Sequence, residues 1–205
     1  MRKANLPRHI GLIPDGNRRW ALKNGLSKDA GYFPGVEAGL KLYDEFSNIG
    51  IEEVSVFGFT KDNTKRRSQE VAMFKKAVIE IAYALYDRGA ALLVVGDSGS
   101  KHFPKELRQF LKRKGSGLKI NLLANYGWDW DLQGLKEEGK LRSSEVSRID
   151  LIVRWGGARR LSGFLPAQSV YADIYVVKEY WPEFKSEQLK EGLEWFKRQD
   201  RTFGG

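Results

Sequence analysis

The stretch HIGLIPDGNRRW, residues His9–Trp20, decides how the rest of the sequence is interpreted. Its first half, His9–Ile13, is an apolar run of strand length, and a Pro-Asp-Gly turn follows it directly. Arg18 and Arg19 lie where this turn leads into a helical pattern. A buried strand followed by a turn and a helix is typical of α/β proteins, in which ligands bind beyond the carboxyl ends of strands.

Five further segments repeat the strand pattern along the chain. They are Val54–Phe59, Leu92–Gly96, Leu118–Ala124, Leu151–Val153 and Asp173–Val177. Helical patterns, with apolar residues three and four positions apart, lie between and after them. These are Val36–Ser47, Val71–Tyr86, Pro104–Lys114 and Ser186–Arg198. We therefore predict an α/β fold with a mostly parallel six-stranded sheet and helices on both faces, formed by residues 1–205 as a single domain.

The composition restricts the chemistry that the protein can perform. Because the 205 residues include no Cys and two His, disulfides and thiolate sites are excluded, and any bound metal would need oxygen ligands. The formal net charge of +9 favours anionic partners: nucleic acid, phosphorylated small molecules or membrane headgroups. The sequence has neither a convincing signal peptide nor an apolar stretch that would span a bilayer, so we expect a cytoplasmic protein.

Polar and basic residues follow three of the predicted strands. Asp15 and Gly16 come after the first strand, the segment 60–67 after the second and the segment 154–162 after the fifth. Taken alone, the segment Asp15–Asn17 indicates a simple turn and helix cap more readily than a ligand site. However, arginines beside glycines at several strand ends supply donors that bind phosphate oxygens. The pattern favours an anion site over a solvated charged surface.

These segments and others, taken in their order along the chain, resemble the motifs of the cis-prenyltransferases, the undecaprenyl diphosphate synthase group. The resemblance covers almost the whole chain. The matching segments are His9–Trp20, Gly58–Thr60 with Asn63 and Arg66, Asn121–Gly127, Asp150–Arg154 with Gly156, Gly157, Arg160 and Ser162, Phe164, Gln168–Ser169, Tyr171–Tyr175, Trp181–Pro182 and Arg201–Gly205. Each motif is modest evidence, whereas the ordered set is specific.

The resemblance implies a magnesium-dependent transferase that joins an allylic prenyl diphosphate to isopentenyl diphosphate with a new cis double bond, giving a short or medium product. Asp15 and Asp173 would hold Mg²⁺, Asn17 would lie beside the reacting carbon, and Asn63 would help to position the loss of the proton. The substrate-binding residues would be Gly16, Arg18, Arg19, Trp20, Lys28, Tyr32, Thr60, Arg66, Arg154, Arg160, Ser162 and Gly204. Helices Val71–Tyr86 and Val36–Phe46 would line an apolar product tunnel.

Several residues depart from the family pattern. Tyr32 replaces a His, Trp155 a small hydroxyl residue, Ala158 a Glu and Asp173 a Glu. An indole at position 155 would crowd the second diphosphate, which leaves an alternative open. In it, the allylic group is captured by a second allylic diphosphate, giving a branched, lavandulyl-type product, or by another nucleophile. A non-catalytic subunit is a further alternative, which the retained Asp15 argues against.

The resemblance also implies a homodimer, because Arg201 and Gly204 fall where the family's tail reaches the neighbouring subunit's active site. The net positive charge also makes us expect peripheral contact with a membrane surface. We expect no nucleic-acid partner, since no recognisable DNA- or RNA-reading motif is present.

Overall fold

The computed structural model describes residues 6–200, and these contain one six-stranded sheet. The strands are β1 His9–Ile13, β2 Glu53–Thr60, β3 Ala91–Val95, β4 Lys119–Tyr126, β5 Leu151–Arg154 and β6 Asp173–Val176. Their order in the sheet is β3-β4-β2-β1-β5-β6, and every neighbouring pair is parallel. The predicted fold class is therefore confirmed, and each predicted strand overlaps an observed one.

Three long helices cover one face of the sheet, because each presents an apolar stripe to it. The five α-helices are α1 Asn17–Lys23, α2 Tyr32–Ile49, α3 Ser68–Asp87, α4 Trp128–Glu137 and α5 Ser186–Lys197. Leu42, Phe46 and Leu85 from α2 and α3 share a core with Leu189 of α5. The opposite face packs against α4 and the irregular segments 143–149 and 156–165, which flank β5. Within residues 6–200, no helix is both long and apolar enough to cross a membrane.

Two segments between β3 and β5 differ from the predicted elements. The predicted helix Pro104–Lys114 is only a short 3₁₀ helix, Lys105–Phe110, because Lys114 pairs with Leu92 of β3 and the chain must extend to reach it. Helix α4 was not predicted. It is stabilised by Asp131, whose carboxylate accepts hydrogen bonds from the Tyr126 hydroxyl and from Ser143.

The carboxyl ends of β2, β1 and β5 lie side by side, since β1 pairs with the other two. Each of these strands is followed by a polar segment: 61–67 after β2, 14–20 after β1 and 156–162 after β5. The three polar segments that the sequence analysis singled out therefore lie together at the carboxyl ends of the strands.

Candidate active site

A cavity of about 530 Å³ opens at the carboxyl ends of β1, β2 and β5. Six basic and two acidic side chains lie among its lining residues. They are Arg18, Arg19, Lys28, Arg66, Arg154 and Arg160, with Asp15 and Asp62. Gly16, Asn17, Tyr32, Thr60, Asn63 and Ser162 also line it. This excess of positive charge suits an anionic ligand of the diphosphate type.

Asp15 is held between two arginines in this cavity. Its Oδ1 lies 3.1 Å from Nη2 of Arg19, and its Oδ2 accepts a hydrogen bond of 2.8 Å from Nη2 of Arg154. The Asp15 side chain is 32% exposed, whereas that of Arg154 is 3% exposed. The carboxylate therefore faces the cavity, while the buried guanidinium fixes its orientation.

Two glycines allow the chain to approach itself closely around Asp15. Gly16 has a φ of 105°, and a Cβ there would lie 2.6 Å from Cδ1 of Tyr180. Gly156 has a φ of 81°, and its Cβ would lie 2.5 Å from Nη2 of Arg19. Since both positions combine a left-handed backbone with a steric clash, glycine is required at each. The close approach lets Arg19 also donate to the Gly156 carbonyl at 2.9 Å.

Arg154 also organises the loop that follows β5. Its Nη1 donates to Oγ of Ser162 at 3.0 Å and to the carbonyl of Arg160. Ser162 has a φ of 54°, a conformation that costs energy for a residue with a side chain. These bonds hold Arg160 and Ser162 where they line the cavity.

A reciprocal capping arrangement positions Asn63 after β2. The amide N–H of Thr60 donates to Oδ1 of Asn63 at 2.9 Å, and the N–H of Asn63 donates to Oγ1 of Thr60 at 3.3 Å. Both residues line the cavity. Because the amide oxygen of Asn63 is already bonded, its Nδ2 is the group left to act on a ligand.

Asn17 and Arg18 occupy the wall beside α1. Nδ2 of Asn17 donates to the carbonyl of Pro14 at 3.1 Å, while its buried Oδ1 has no hydrogen-bond partner in the described structure. Nε of Arg18 lies 3.0 Å from Oε2 of Glu70, without hydrogen-bond geometry. Arg18 is thus partly neutralised, and the unpartnered Oδ1 of Asn17 is buried against Gly35 of α2.

Asp173 lies far from Asp15 in the same chain. Asp173, the first residue of β6, pairs in register with Leu151 of β5, and Leu151 pairs with Ile10 of β1. Asp15 lies two residues beyond Ile13, where β1 ends, so the two residues are at opposite ends of the parallel strands within one chain. That Asp15 and Asp173 both hold one metal ion stays a prediction.

Trp155 does not crowd the cavity, and that expectation was wrong. Its side chain is fully buried on the side of α5, where its Nε1 donates to Oε1 of Gln188 at 3.0 Å. Its ring packs edge-on against Trp181 at 4.8 Å between centroids. Adjacent strand residues point to opposite faces, so Arg154 faces the cavity and Trp155 faces the core.

Trp20, a predicted substrate-binding residue, lies in α1 but is not among the cavity's lining residues. Gly204 and Arg201 lie outside the described residues. Conversely, Phe57, Asp62 and Phe74 line the cavity and were not predicted as site residues. For Phe74 the sequence signal was an apolar helical stripe, which indicates a core position as readily as a binding surface.

Comparison with known proteins identifies the family. Residues 13–204 match the family model described as "Putative undecaprenyl diphosphate synthase". The chain belongs to this prenyltransferase family. Its relatives include ditrans,polycis-undecaprenyl-diphosphate synthases, specific for (2E,6E)-farnesyl diphosphate, from Vibrio parahaemolyticus (31% identical over 98% of this chain and 91% of the relative) and Pectobacterium atrosepticum (32%, 97% and 90%).

Two further proteins are similar to this chain. An isoprenyl transferase from Chlorobaculum tepidum is 30% identical over 97% of this chain and 86% of its own length. The solved structure of lavandulyl diphosphate synthase from Lavandula x intermedia, in complex with dimethylallyl diphosphate, has a TM-score of 0.81. It is 22% identical and covers 98% of this chain and 99% of that chain, which shows a shared fold.

Proposed function

We propose that this prenyltransferase joins an allylic prenyl diphosphate to isopentenyl diphosphate, with a cis double bond and a short or medium product. The observation that carries the proposal is the single cavity in which Asp15 contacts Arg19 and Arg154 and which Arg66, Arg160 and Ser162 also line. These residues come from three separate segments, and each was predicted from its position after a strand. Family membership supports the same reaction class.

The cationic side chains would promote breaking of the allylic C–O bond. As the bond breaks, its electron pair leaves with the diphosphate, so donors fixed around this group stabilise the transition state more than the ground state. Arg19, Lys28 and Arg66 line the cavity and would bind this diphosphate. Asn17, which also lines the cavity, would lie beside the cationic carbon.

The second diphosphate, that of isopentenyl diphosphate, would bind to Arg154, Arg160 and Ser162. Its alkene carbon then forms a C–C bond with the allylic carbon, and the resulting cation loses a proton to form the new double bond. No described residue is an obvious general base in the cavity, so the released diphosphate would accept this proton, with Asn63 positioning the reacting groups. Trp155 leaves this half of the site unobstructed, because its ring is buried on the other face.

The residues present are compatible with Mg²⁺. This ion commonly binds one or two carboxylates and completes its coordination with phosphate oxygens and water. Asp15 supplies one partly exposed carboxylate, and residues 6–200 contain no cluster of three or more His, Cys, Asp or Glu that could hold a metal. Asp15 would therefore be one protein ligand of the ion, and Asp173 stays the second ligand that the resemblance implies. When bound, Mg²⁺ would neutralise charge on the leaving diphosphate.

The test is turnover of paired prenyl diphosphates with Mg²⁺. Asp15→Asn keeps the shape of the side chain but removes its charge, and we expect kcat to fall by roughly 10²–10³-fold. Asp44→Asn, which makes the same change at an exposed surface pair with Arg88, is the control, and its turnover should match wild type. Wild-type turnover by Asp15→Asn, or no product from any wild-type pairing, would refute the proposal.

The same assay separates regular from branched coupling. With dimethylallyl diphosphate as the sole substrate, the proposed reaction gives no condensation product. A branched product from that substrate alone would overturn the assignment to regular condensation.

The edge of the sheet supports the proposal of a homodimer. β6 has one sheet neighbour, and the exposed apolar residues Val170, Tyr171 and Ile174 lie at or just before it. An unpaired strand edge with apolar residues is a common site of self-association. Peripheral contact with a membrane stays a prediction from the net charge.

A further inference from the structure

The segment that follows β6, residues 177–183, packs against the loops that form the cavity. Val176, the last residue of β6, pairs in register with Arg154 of β5, and Arg154 pairs with Ile13 of β1. The segment therefore starts at the same carboxyl ends of strands as the residues that line the cavity. None of its residues was predicted to bind substrate or metal.

Backbone hydrogen bonds fix this segment to two of the loops around the cavity. The N–H of Trp181 donates to the carbonyl of Asp15 at 3.0 Å, and the N–H of Gly156 donates to the carbonyl of Glu179 at 2.7 Å. Tyr180 lies between the two bonded residues of the segment. Its backbone is therefore fixed relative to both loops.

The guanidinium of Arg19 lies over the ring of Tyr180. Cζ of Arg19 is 5.0 Å from the ring centroid, which is within the range of a cation–π contact. The ring also packs against Gly16, where a Cβ would lie 2.6 Å from Cδ1 of Tyr180. Tyr180 is partly buried and is not among the residues that line the cavity. It would therefore act on a substrate indirectly, through Arg19.

Three contacts together define the orientation of Arg19. Its Nη2 lies 3.1 Å from Oδ1 of Asp15, and its Nη1 donates to the carbonyl of Gly156 at 2.9 Å. The ring of Tyr180 supplies the third contact. Because the Arg19 side chain is 47% exposed, water competes for its polar contacts, whereas the ring excludes water from one side of the group. A guanidinium has five N–H donors, so further donors remain for a diphosphate in the cavity.

A second cation contacts the same ring but does not line the cavity. Nζ of Lys23 lies 5.8 Å from the Tyr180 centroid and donates to Oε1 of Glu183 at 3.1 Å. The other carboxylate oxygen of Glu183 accepts from the N–H of Tyr180 at 3.0 Å. Lys23 is not among the residues that line the cavity. The contact with Arg19 is therefore the one that connects the ring to the proposed diphosphate site.

Resting on the proposed function, we propose that Tyr180 is a positioning residue whose ring holds Arg19 in the orientation that binds the leaving diphosphate. Negative charge on this group increases as the allylic C–O bond breaks. A donor that is already fixed in place therefore stabilises the transition state more than the bound substrate. A donor that must first be ordered loses part of this stabilisation. Tyr180 thus contributes to turnover without contacting the substrate.

The test compares Tyr180→Leu, which removes the ring, with Tyr180→Phe, which keeps the ring without its hydroxyl. Turnover is measured with Mg²⁺, saturating isopentenyl diphosphate and whichever allylic diphosphate of five, ten or fifteen carbons the wild type uses best. Tyr180→Leu should lower kcat by roughly three- to thirtyfold, the size of one cation–π contact, and should change KM for the allylic substrate less. Tyr180→Phe should keep the wild-type kcat. In an Arg19→Gln background, Tyr180→Leu should cause no further loss.

A binding measurement reports the same contact without turnover. Inorganic diphosphate carries the charge that the leaving group acquires, and its Kd in the presence of Mg²⁺ can be measured by calorimetry. Tyr180→Leu should raise this Kd by roughly the same factor as it lowers kcat, and Tyr180→Phe should not. Two controls separate the role of Arg19 from other effects. Phe33→Leu removes a ring that lies against Lys76, and Lys23→Gln removes the second cation, and both should keep the wild-type kcat.

Three outcomes would overturn the inference and leave the proposed function intact. They are a folded Tyr180→Leu variant with wild-type kcat and diphosphate affinity, an equal loss in Tyr180→Phe, and a loss that persists in the Arg19→Gln background. Circular dichroism checks folding, and Tyr180→Met is the second variant without a ring if Tyr180→Leu fails to fold. Absence of product from every wild-type pairing would refute the proposed function. The diphosphate affinities would then still decide whether Tyr180 positions Arg19.

Discussion

At the scale of single residues, Arg154 shows how one buried side chain connects separate parts of a site. It contacts the carboxylate of Asp15, the hydroxyl of Ser162 and the carbonyl of Arg160. The planar guanidinium can make these contacts together because its donors have fixed directions, whereas an ammonium group lacks that geometry. The positions of Asp15 and Ser162 therefore both depend on Arg154.

We expect Arg154→Lys to lower kcat/KM for isopentenyl diphosphate by roughly ten- to a hundredfold, the effect of losing one or two charge-assisted hydrogen bonds. Steady-state kinetics with the allylic substrate saturating measures it. Arg8→Lys, which makes the same change at an exposed pair with Glu52, should have no effect. Equal kinetics for the Arg154 variant and wild type would contradict the proposed contact with the second diphosphate.

His9 belongs to a buried polar network at the other end of the sheet. Its Nε2 is 2.9 Å from Oγ of Ser55, and its Nδ1 is 3.0 Å from the carbonyl of Ser147. Glu53 joins the network by accepting from Asn121 and from the Ser147 hydroxyl. Burial lowers the pKa of His9 despite the nearby carboxylate of Glu53. This location indicates a structural role for His9.

This burial predicts that the protein loses stability in mild acid. Because the folded state lowers the pKa of His9, the unfolded chain binds a proton more readily once the pH falls below about 6.5. We expect the free energy of unfolding, measured by urea denaturation, to decrease from pH 7.5 to pH 5.5. His9→Gln should reduce this decrease, and His102→Gln should not. If His102→Gln reduced the decrease and His9→Gln did not, the loss of stability would come from a group other than His9.

At the scale of elements, Trp155 joins β5 to α5 and to the segment around Trp181. It is fully buried, donates to Gln188 and packs edge-on against the rings of Trp181 and Phe184. The ring of Trp155, which replaces a small hydroxyl residue of the family pattern, is therefore accommodated by core packing. Its contribution should appear in stability, since it does not face the substrate.

Trp155→Ala is expected to lower the free energy of unfolding by roughly 3–5 kcal/mol, because it removes a large buried ring and leaves a cavity. The milder Trp155→Phe should lose less stability and keep the wild-type KM for isopentenyl diphosphate. Ser162→Ala, which alters the cavity wall, should raise that KM instead. If Trp155→Phe raised KM as Ser162→Ala does, position 155 would contact substrate after all.

At the scale of the whole molecule, β6 lies at one edge of the sheet and has no strand partner on its outer side among residues 6–200. Ile174 lies within β6 and is 39% exposed. If the proposed homodimer forms across this edge, Ile174→Lys should shift the protein to monomer in sedimentation experiments. Leu135→Lys, at an exposed position on α4, is the matched control and should leave the assembly unchanged. A wild-type monomer at all concentrations would contradict the dimer.

The sequence by itself determined the six strands, three of the helices and most of the cavity. Apolar runs of strand length marked all six strands, and apolar residues three and four apart marked α2, α3 and α5. Residues directly after β1, β2 and β5 were correctly grouped, because parallel strands bring their carboxyl ends to one edge. This information is local, so it can be obtained from neighbouring residues in the chain.

Only the tertiary structure decided features that depend on distant segments. It separated Asp173 from Asp15, which no local pattern reveals, because the separation depends on the register of β6 against β5 and of β5 against β1. It also placed Trp155 in the core. This packing depends on side chains from several elements of the fold, and the periodicity along one segment does not specify it.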